Sequence, residues 1–226
     1  MGNEFVKNIK YYINCFLDVI YSGKEKCIIC EEISEANRVL CLDCIRNMKL
    51  CNKKTVINEG AYKFWCYSSL YYSGITKELI LNLKYKGQFL AGKELLRYLI
   101  NTIELYDIKF DIVTYVPSSK NKLKERGYNQ SKYLAKLVAE KTEKKLLNTL
   151  KKSKRTQDQI GLGKYERWEN LKESFIYVGN GKLKKQKVLL VDDVLTTGAT
   201  TFYCAKELKK NGAEDVIILT VAKSNF

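Results

Sequence analysis

The chain has 226 residues, enough to fill one good core and carry a small appendage. Lysine and arginine number 40 against 25 acidic residues, and the resulting charge of +15 favours polyanionic partners: nucleic acid, phosphorylated substrates or anionic membrane. Histidine is absent from the sequence, which excludes imidazole acid–base catalysis and histidine metal ligands. The abundance of Lys, Asn, Ile and Tyr is also what a nucleotide-biased genome produces, so charge alone does not choose among these partners.

Residues 5–21 set Val6, Ile9, Ile13, Phe16, Leu17 and Ile20 at helical spacing, interrupted by Lys7, Lys10 and Asp18. The stretch is too short and too charged to span a bilayer and carries no cleavage pattern. It reads as an amphipathic helix docked on the protein, with peripheral contact at a membrane surface as a second reading. Without an export signal the chain is expected in the cytoplasm, where cysteines stay reduced.

Cys27-x-x-Cys30 and Cys41-x-x-Cys44 form two knuckles ten residues apart. Each aims two thiolates at one point, and together they complete a tetrahedral shell whose default occupant is a structural Zn²⁺ with no open coordination position. A redox dithiol or an iron–sulfur cluster would use the same residues. The segment around them is poor in apolar residues, so a bound ion is expected to supply much of its stability. Cys15, Cys51, Cys66 and Cys204 fall outside the pattern and read as small apolar residues.

Downstream, residues 61–72 read as an aromatic strand, 75–84 and 92–105 as helices, and 111–116 as a buried strand stopped by Pro117-Ser118-Ser119-Lys120. Arg126-Gly127-Tyr128-Asn129-Gln130 leads into a helix through Ala139, and a short strand covers 146–150. A long polar stretch, 151–170, precedes strands at 175–178, 188–191 and 215–221. Strands alternating with helices predict an α/β fold with one mainly parallel sheet. The expected division is residues 1–55 for the N-terminal helix and ribbon and 56–226 for the α/β domain.

Residues 187–201 read KVLLVDDVLTTGATT: a buried parallel strand, two acids and a Thr-Gly turn opening a helix expected from Thr200 to Lys210. The acids and turn are expected on an exposed loop at the strand's carboxyl end, where open α/β sheets bind ligands. Exposed amides and the helix dipole attract an anion there, Gly198 permits close approach, and threonine hydroxyls donate. Asp192 and Asp193 would repel a phosphate and suit sugar hydroxyls instead. A sugar phosphate satisfies both halves.

This string resembles the substrate loop of the type I phosphoribosyltransferases. The resemblance implies that Asp192 and Asp193 meet the ribose hydroxyls of 5-phosphoribosyl-1-pyrophosphate, while Thr196, Thr197, Gly198, Ala199 and Thr200 cradle its 5′-phosphate. Over nearly the whole chain the sequence is similar to one branch, the ComF family of late-competence, amidophosphoribosyltransferase-like proteins. The motifs that carry this are the two cysteine knuckles, L-K-Y-K-G (83–87), V-P…E-R-G-Y-N-Q (116–130), R-T-x-x-Q (155–159), E-R-x-x-N (166–170) and the acid-pair loop. One departure is Ser118-Ser119 where many relatives carry a histidine.

The resemblance implies a pyrophosphate wall of Ser118, Ser119, Lys120, Arg126, Asn129 and Gln130, with Mg²⁺ accompanying pyrophosphate and ribose. It also implies a mobile loop over 151–170 in which Arg155 and Gln159 contact the substrate, Arg155 with a catalytic role beside the acid pair. The acceptor is not named by any motif. Two functions follow: a DNA-uptake factor of natural transformation that binds the sugar phosphate and works with single-stranded DNA, a helicase and a recombination mediator, or an active transferase on an unidentified acceptor. Aromatics interleaved with lysines at 62–65 and 84–86 are the expected single-stranded DNA contacts, with core packing and solvated lysines as the competing reading.

Overall fold

The computed structural model of the protein describes residues 26–35, 38–153, 168, 171–181 and 183–224. The chain divides into two compact units, Met1–Asn47 and Met48–Phe226. The expected N-terminal helix, Cys15, Arg155, Gln159, Arg167 and most of the 151–170 loop lie outside the described residues.

In the first unit the chain turns on itself at the first cysteine pair. The Cys27 amide donates to the Glu32 carbonyl at 2.8 Å, the Glu31 amide to the Cys27 carbonyl at 2.9 Å, and Glu31 sits in the left-handed region at φ 62°. A short helix, α1 (Leu42–Arg46), follows. Of the apolar residues described here, only Leu40, Cys27 and Cys44 are buried, too few to hold a fold by packing alone.

The second unit is built on a six-stranded sheet in the order β1-β2-β8-β7-β3-β4. Its antiparallel hairpin, β1 (Leu50–Glu59) and β2 (Tyr62–Tyr71), turns at Gly60. All other pairings in the sheet are parallel: β2 with β8 (Asp215–Lys223), β8 with β7 (Lys187–Leu195), β7 with β3 (Ile112–Tyr115), and β3 with β4 (Lys145–Leu146). Both central strands are buried along nearly their whole length, as parallel strands covered on both faces must be. The longer helices are α2 (Gly74–Tyr85), α3 (Phe89–Leu105), α5 (Gln130–Lys141) and α6 (Ala199–Lys210). Phe202 of α6, fully buried, packs edge-on against Phe64 of β2 at 5.5 Å and ties this helix to the hairpin.

Four local differences from the sequence reading have physical causes. Strand β1 is unforeseen because its Lys and Asn content hides a strand that lies at the sheet edge and takes its register from β2; the boundary expected at residue 55 falls inside it. The strand expected over 146–150 is two strands. Residues β4 stay in the main sheet, the Leu147 amide reaches the Val113 carbonyl at 2.9 Å, and the chain then leaves to form β5 (Leu150–Lys152), antiparallel to β6 (Phe175–Tyr177). Thr114 pins the crossing by bonding Thr149 at 2.7 Å. A short helix, α4 (Lys120–Arg126), occupies the segment after Pro117, capped by Ser119 and closed by Gly127 at φ 77°. Strand β7 does not end before the acids: Asp192 pairs with Thr220 and Leu195 with Lys223, so the acids belong to the sheet.

Candidate active site

The carboxyl edge of β7 carries the acid pair, and the next residues turn into α6. Gly198 is the N-cap at φ 83°, and a Cβ there would lie 3.1 Å from Ile57 Cδ1, so both backbone and space demand glycine. Thr197 Oγ1 accepts from the Ala199 amide at 3.4 Å, and Thr201 Oγ1 donates to the Gly198 carbonyl at 3.0 Å, fixing the turn. Beside it lies a cleft of about 390 Å³. Thr196, Thr197 and Gly198 line one wall, and Thr55, Asn58 and Lys223 face them. Lys223 Nζ donates to Thr55 Oγ1 at 3.0 Å, placing a cation beside the helix N-terminus.

The acids are not on an exposed loop. Asp192 is 8 % and Asp193 5 % accessible, and each is held by other elements. Asp193 Oδ2 receives Lys84 Nζ of α2 at 2.5 Å and Gln130 Nε2 of α5 at 3.1 Å, while its Oδ1 accepts the Val194 amide at 2.7 Å. Asp192 Oδ1 accepts Ser131 Oγ at 2.7 Å, its one partner among the described side chains. Burial, then the neighbouring Asp193 charge, push the Asp192 carboxyl up to about 7, against the opposing pull of Ser131 and Lys84. Burial disfavours the Lys84 ammonium, yet the Asp193 carboxylate more than offsets this and holds its pKa above the usual lysine range.

The segment expected to form the pyrophosphate wall divides into two kinds of residue. Ser118 and Ser119 are half-buried and Lys120 is exposed at the loop after β3. Arg126 lies over the Tyr85 ring at 4.8 Å, donates to the Tyr85 hydroxyl at 3.0 Å and to Gln130 Oε1 at 3.1 Å. Asn129 caps α5 by accepting the Ser131 and Lys132 amides and donates to the Val116 carbonyl at 3.0 Å. Asn129 and Gln130 are therefore engaged inside the protein, one shaping the loop and the other orienting Asp193.

Lys84 corrects an expectation directly. The sequence offered it as a contact to single-stranded DNA, with a solvated lysine as the competing reading, but it is largely withdrawn from solvent in an ion pair; Tyr85 and Lys86 beside it are exposed. Of the other expected stretch, Phe64 is core, whereas Trp65 remains 37 % accessible with Lys54 Nζ 3.6 Å and Lys63 Nζ 5.3 Å from its ring centroid.

In the N-terminal unit, the sulfurs of Cys27, Cys30, Cys41 and Cys44 all lie within 4.8 Å of one another. Thiolates about 2.3 Å from a tetrahedral Zn²⁺ stand about 3.8 Å apart, so the cluster is compatible with a structural zinc. Cys41 caps α1 through a bond from the Cys44 amide at 3.5 Å, the knuckle geometry that points both sulfurs inward. Burial raises the Cys27 thiol, but the amides of Cys30, Cys41 and Ile29 outweigh it and bring the group down to about 6, which favours the metal-binding thiolate. Cys51, Cys66 and Cys204 are buried, as expected of small apolar side chains.

With this geometry in place, residues 129–225 match the phosphoribosyl transferase domain family. Competence protein F of Haemophilus influenzae is 31% identical over 153 residues, which cover 65% of this chain and 67% of that protein. The chain belongs to the ComF family. Competence protein ComFC of Bacillus subtilis is 29% identical over 157 residues, covering 68% of this chain and 62% of its own length. Among solved structures, adenine phosphoribosyltransferase from Thermoanaerobacter pseudethanolicus aligns over 76% of this chain and 94% of its own with 16% identity and a TM-score of 0.41. This ComF-family chain is thus a competence-associated protein of phosphoribosyltransferase type, with a four-cysteine cluster at its N-terminus.

Several residues gathered around the acid pair and the turn escape sequence reasoning. Lys84, Ser131, Thr55, Asn58 and Lys223 converge on the acid pair and turn from α2, α5, β1 and β8. Lys84 lies within L-K-Y-K-G, so the signal for it was present as a motif, but nothing local says that its ammonium crosses to the acid strand.

Proposed function

We propose that the chain binds 5-phosphoribosyl-1-pyrophosphate with Mg²⁺ and that this binding serves DNA uptake during natural transformation, alongside single-stranded DNA and a helicase partner. The observation that carries the reading is the placement, at one sheet edge, of an acid pair suited to ribose hydroxyls and a glycine-capped helix N-terminus suited to a phosphate. Lys223 adds a cation at the phosphate end. Ser118, Ser119 and Lys120 border the place where pyrophosphate would lie, and Arg155 and Gln159 would close over it from the 151–170 loop, excluding water that otherwise hydrolyses an activated ribose. The Mg²⁺ would arrive with the substrate and would offset the charge of the departing pyrophosphate, so it calls for few protein ligands. In the N-terminal unit the four cysteines would hold one Zn²⁺ as a structural ion. Among the described residues no helix is long and apolar enough to cross a membrane. Action in the cytoplasm, with peripheral membrane contact as the alternative, is part of this reading.

The second reading is catalysis: transfer of the phosphoribosyl group to an unidentified nucleobase, amine or nucleic-acid acceptor. The turn and acid pair favour it as much as they favour binding alone, because pyrophosphate leaves as a multiply charged anion that positioned donors stabilise. Calorimetry with 5-phosphoribosyl-1-pyrophosphate and Mg²⁺ tests the shared step; heat with micromolar-range affinity is expected, and none in the unmodified protein would sink both readings. Pyrophosphate release across a panel of acceptors then separates them.

A further inference from the structure

The two acids of the β7 edge are not equivalent. Both oxygens of Asp193 are already engaged, by a lysine, a glutamine amide and a backbone amide, whereas Asp192 takes one hydroxyl from the described side chains. The engagement of Asp193 is itself braced. Gln130, which donates to Asp193, accepts from Arg126, and Arg126 rests on Tyr85, the residue after Lys84. A closed circuit therefore runs from the end of α2 through α4 and α5 back to the acid strand. Two adjacent buried carboxylates cannot both stay charged without a counter-ion, and among the described residues Lys84 is the one ammonium in an ion pair with either of them.

We propose that Lys84 is a positioning residue that saturates Asp193 and cancels its charge, leaving Asp192 as the carboxylate offered to a ligand's hydroxyls. Lys84 touches no ligand in this scheme; it acts through Asp193. The proposal rests on the sugar-phosphate reading for its ligand and departs from the equal roles that the family resemblance implies for the two acids. Among the described residues, the other titratable groups near enough to feel Asp192 are Cys66 of β2 and Cys204 of α6, whose thiols burial keeps neutral, and Tyr72, between β2 and α2, acts on Lys84.

The experiment uses the full chain and three variants: Lys84→Met, Lys84→Arg, and the double variant Lys84→Met with Asp193→Asn, which removes both charges and leaves nearly the same volume. Calorimetry with 5-phosphoribosyl-1-pyrophosphate and Mg²⁺ is run at pH 6, 7.5 and 9. Lys84→Met is expected to weaken binding at least tenfold at pH 7.5 and to recover part of it by pH 9, with Lys84→Arg within a few-fold of the unmodified protein. The double variant is expected to bind more tightly than Lys84→Met alone, because the charge facing the ligand is again that of Asp192; a purely structural role for Lys84 predicts no such rescue. A double variant no better than Lys84→Met, or a Lys84→Met protein with unchanged affinity at every pH, overturns the proposal. A second arm needs no ligand: carbon-13 aspartate NMR of the free protein, where Lys84→Met should raise the titration midpoint of the acid pair and the double variant should bring it back. A midpoint that stays put in Lys84→Met overturns the proposal as well. If the unmodified protein shows no ligand heat, the sugar-phosphate reading falls by itself, and the titration alone decides whether Lys84 sets the charge of the pair. Should Lys84→Met fail to fold by circular dichroism, the double variant and Lys84→Arg carry both arms.

Discussion

Ser131, in the first turn of α5, donates its hydroxyl to Asp192 Oδ1 of β7 across 2.7 Å, joining a helix start to the acid strand. Both residues are buried, so the bond is not exchangeable for water. Ser131→Ala is expected to lower stability by about 1–2 kcal/mol, measured by urea unfolding. It should also raise the Asp192 pKa further, because this bond favours the charged form.

The raised Asp192 carboxyl has a defined pH signature. Its folded value is about 7, against roughly 3.9 unfolded, so between these limits the native state holds the extra proton. Stability contributed by this group is therefore full below about pH 4, declines as pH rises toward 7 and is flat above it. Asp192→Asn should be more stable than the unmodified protein at pH 8 and show little gain at pH 4, by thermal melts across that range. Binding of a ribose ligand runs the opposite way, weakening as pH falls below 7. An unmodified protein whose ligand affinity is flat from pH 5 to 8 would contradict the raised pKa of this acid.

Gly198→Ala is expected to cost about 2 kcal/mol, combining the left-handed φ of 83° with a Cβ 3.1 Å from Ile57 Cδ1. Because the α6 amides and the Thr197 hydroxyl are set by this residue, phosphate-end affinity should fall more than stability does. Inorganic phosphate titrated into Gly198→Ala and unmodified protein measures the difference.

One zinc per chain is expected on elemental analysis, bound through the sulfurs clustered within 4.8 Å. Cys27→Ser or Cys44→Ser should release it and destabilise the N-terminal unit, since few apolar residues there are buried. Purified protein free of metal, with a Cys27→Ser variant as soluble as the original, would count against the site.

Single-stranded DNA contact is best tested away from Lys84, whose replacement by Glu would break its ion pair with the buried Asp193. Trp65 is partly exposed with the ammonium groups of Lys54 and Lys63 beside its ring. If it stacks bases, Trp65→Ala should reduce affinity by about 1–3 kcal/mol in a steeply salt-dependent oligonucleotide titration, with ligand binding at the acid pair unaffected. Identical titrations for both proteins would remove Trp65 from any strand path.

What the sequence could carry was whatever is local. The 187–201 string announced its strand, acids, glycine turn and helix because each sits within a few residues of the next, and the knuckles announced four sulfurs for the same reason. What it could not carry is convergence. Lys84 and Asp193 are far apart in the chain and meet only because α2 and β7 pack in one unit, and Lys223 reaches Thr55 only because β8 lies between β7 and the hairpin. The exposure assigned to the acids failed for a related reason: two adjacent aspartates look solvated until a lysine, a glutamine and a serine are brought to them. Strand β1 was hidden because an edge strand needs no continuous apolar run.

Strand β8, which lies between β7 and β2, is formed by residues 215–223. Until it is in place, the hairpin has no link to the rest of the sheet, because β2 pairs on that side with β8 alone. A chain emerging from the ribosome can form its hairpin and its β3 region early, but two sheet fragments with open edges must wait for the final strand to join them. This strand order leads to the expectation of a late, long-range closure, with the interval before it the time when the chain is most exposed to pairing with the wrong edge.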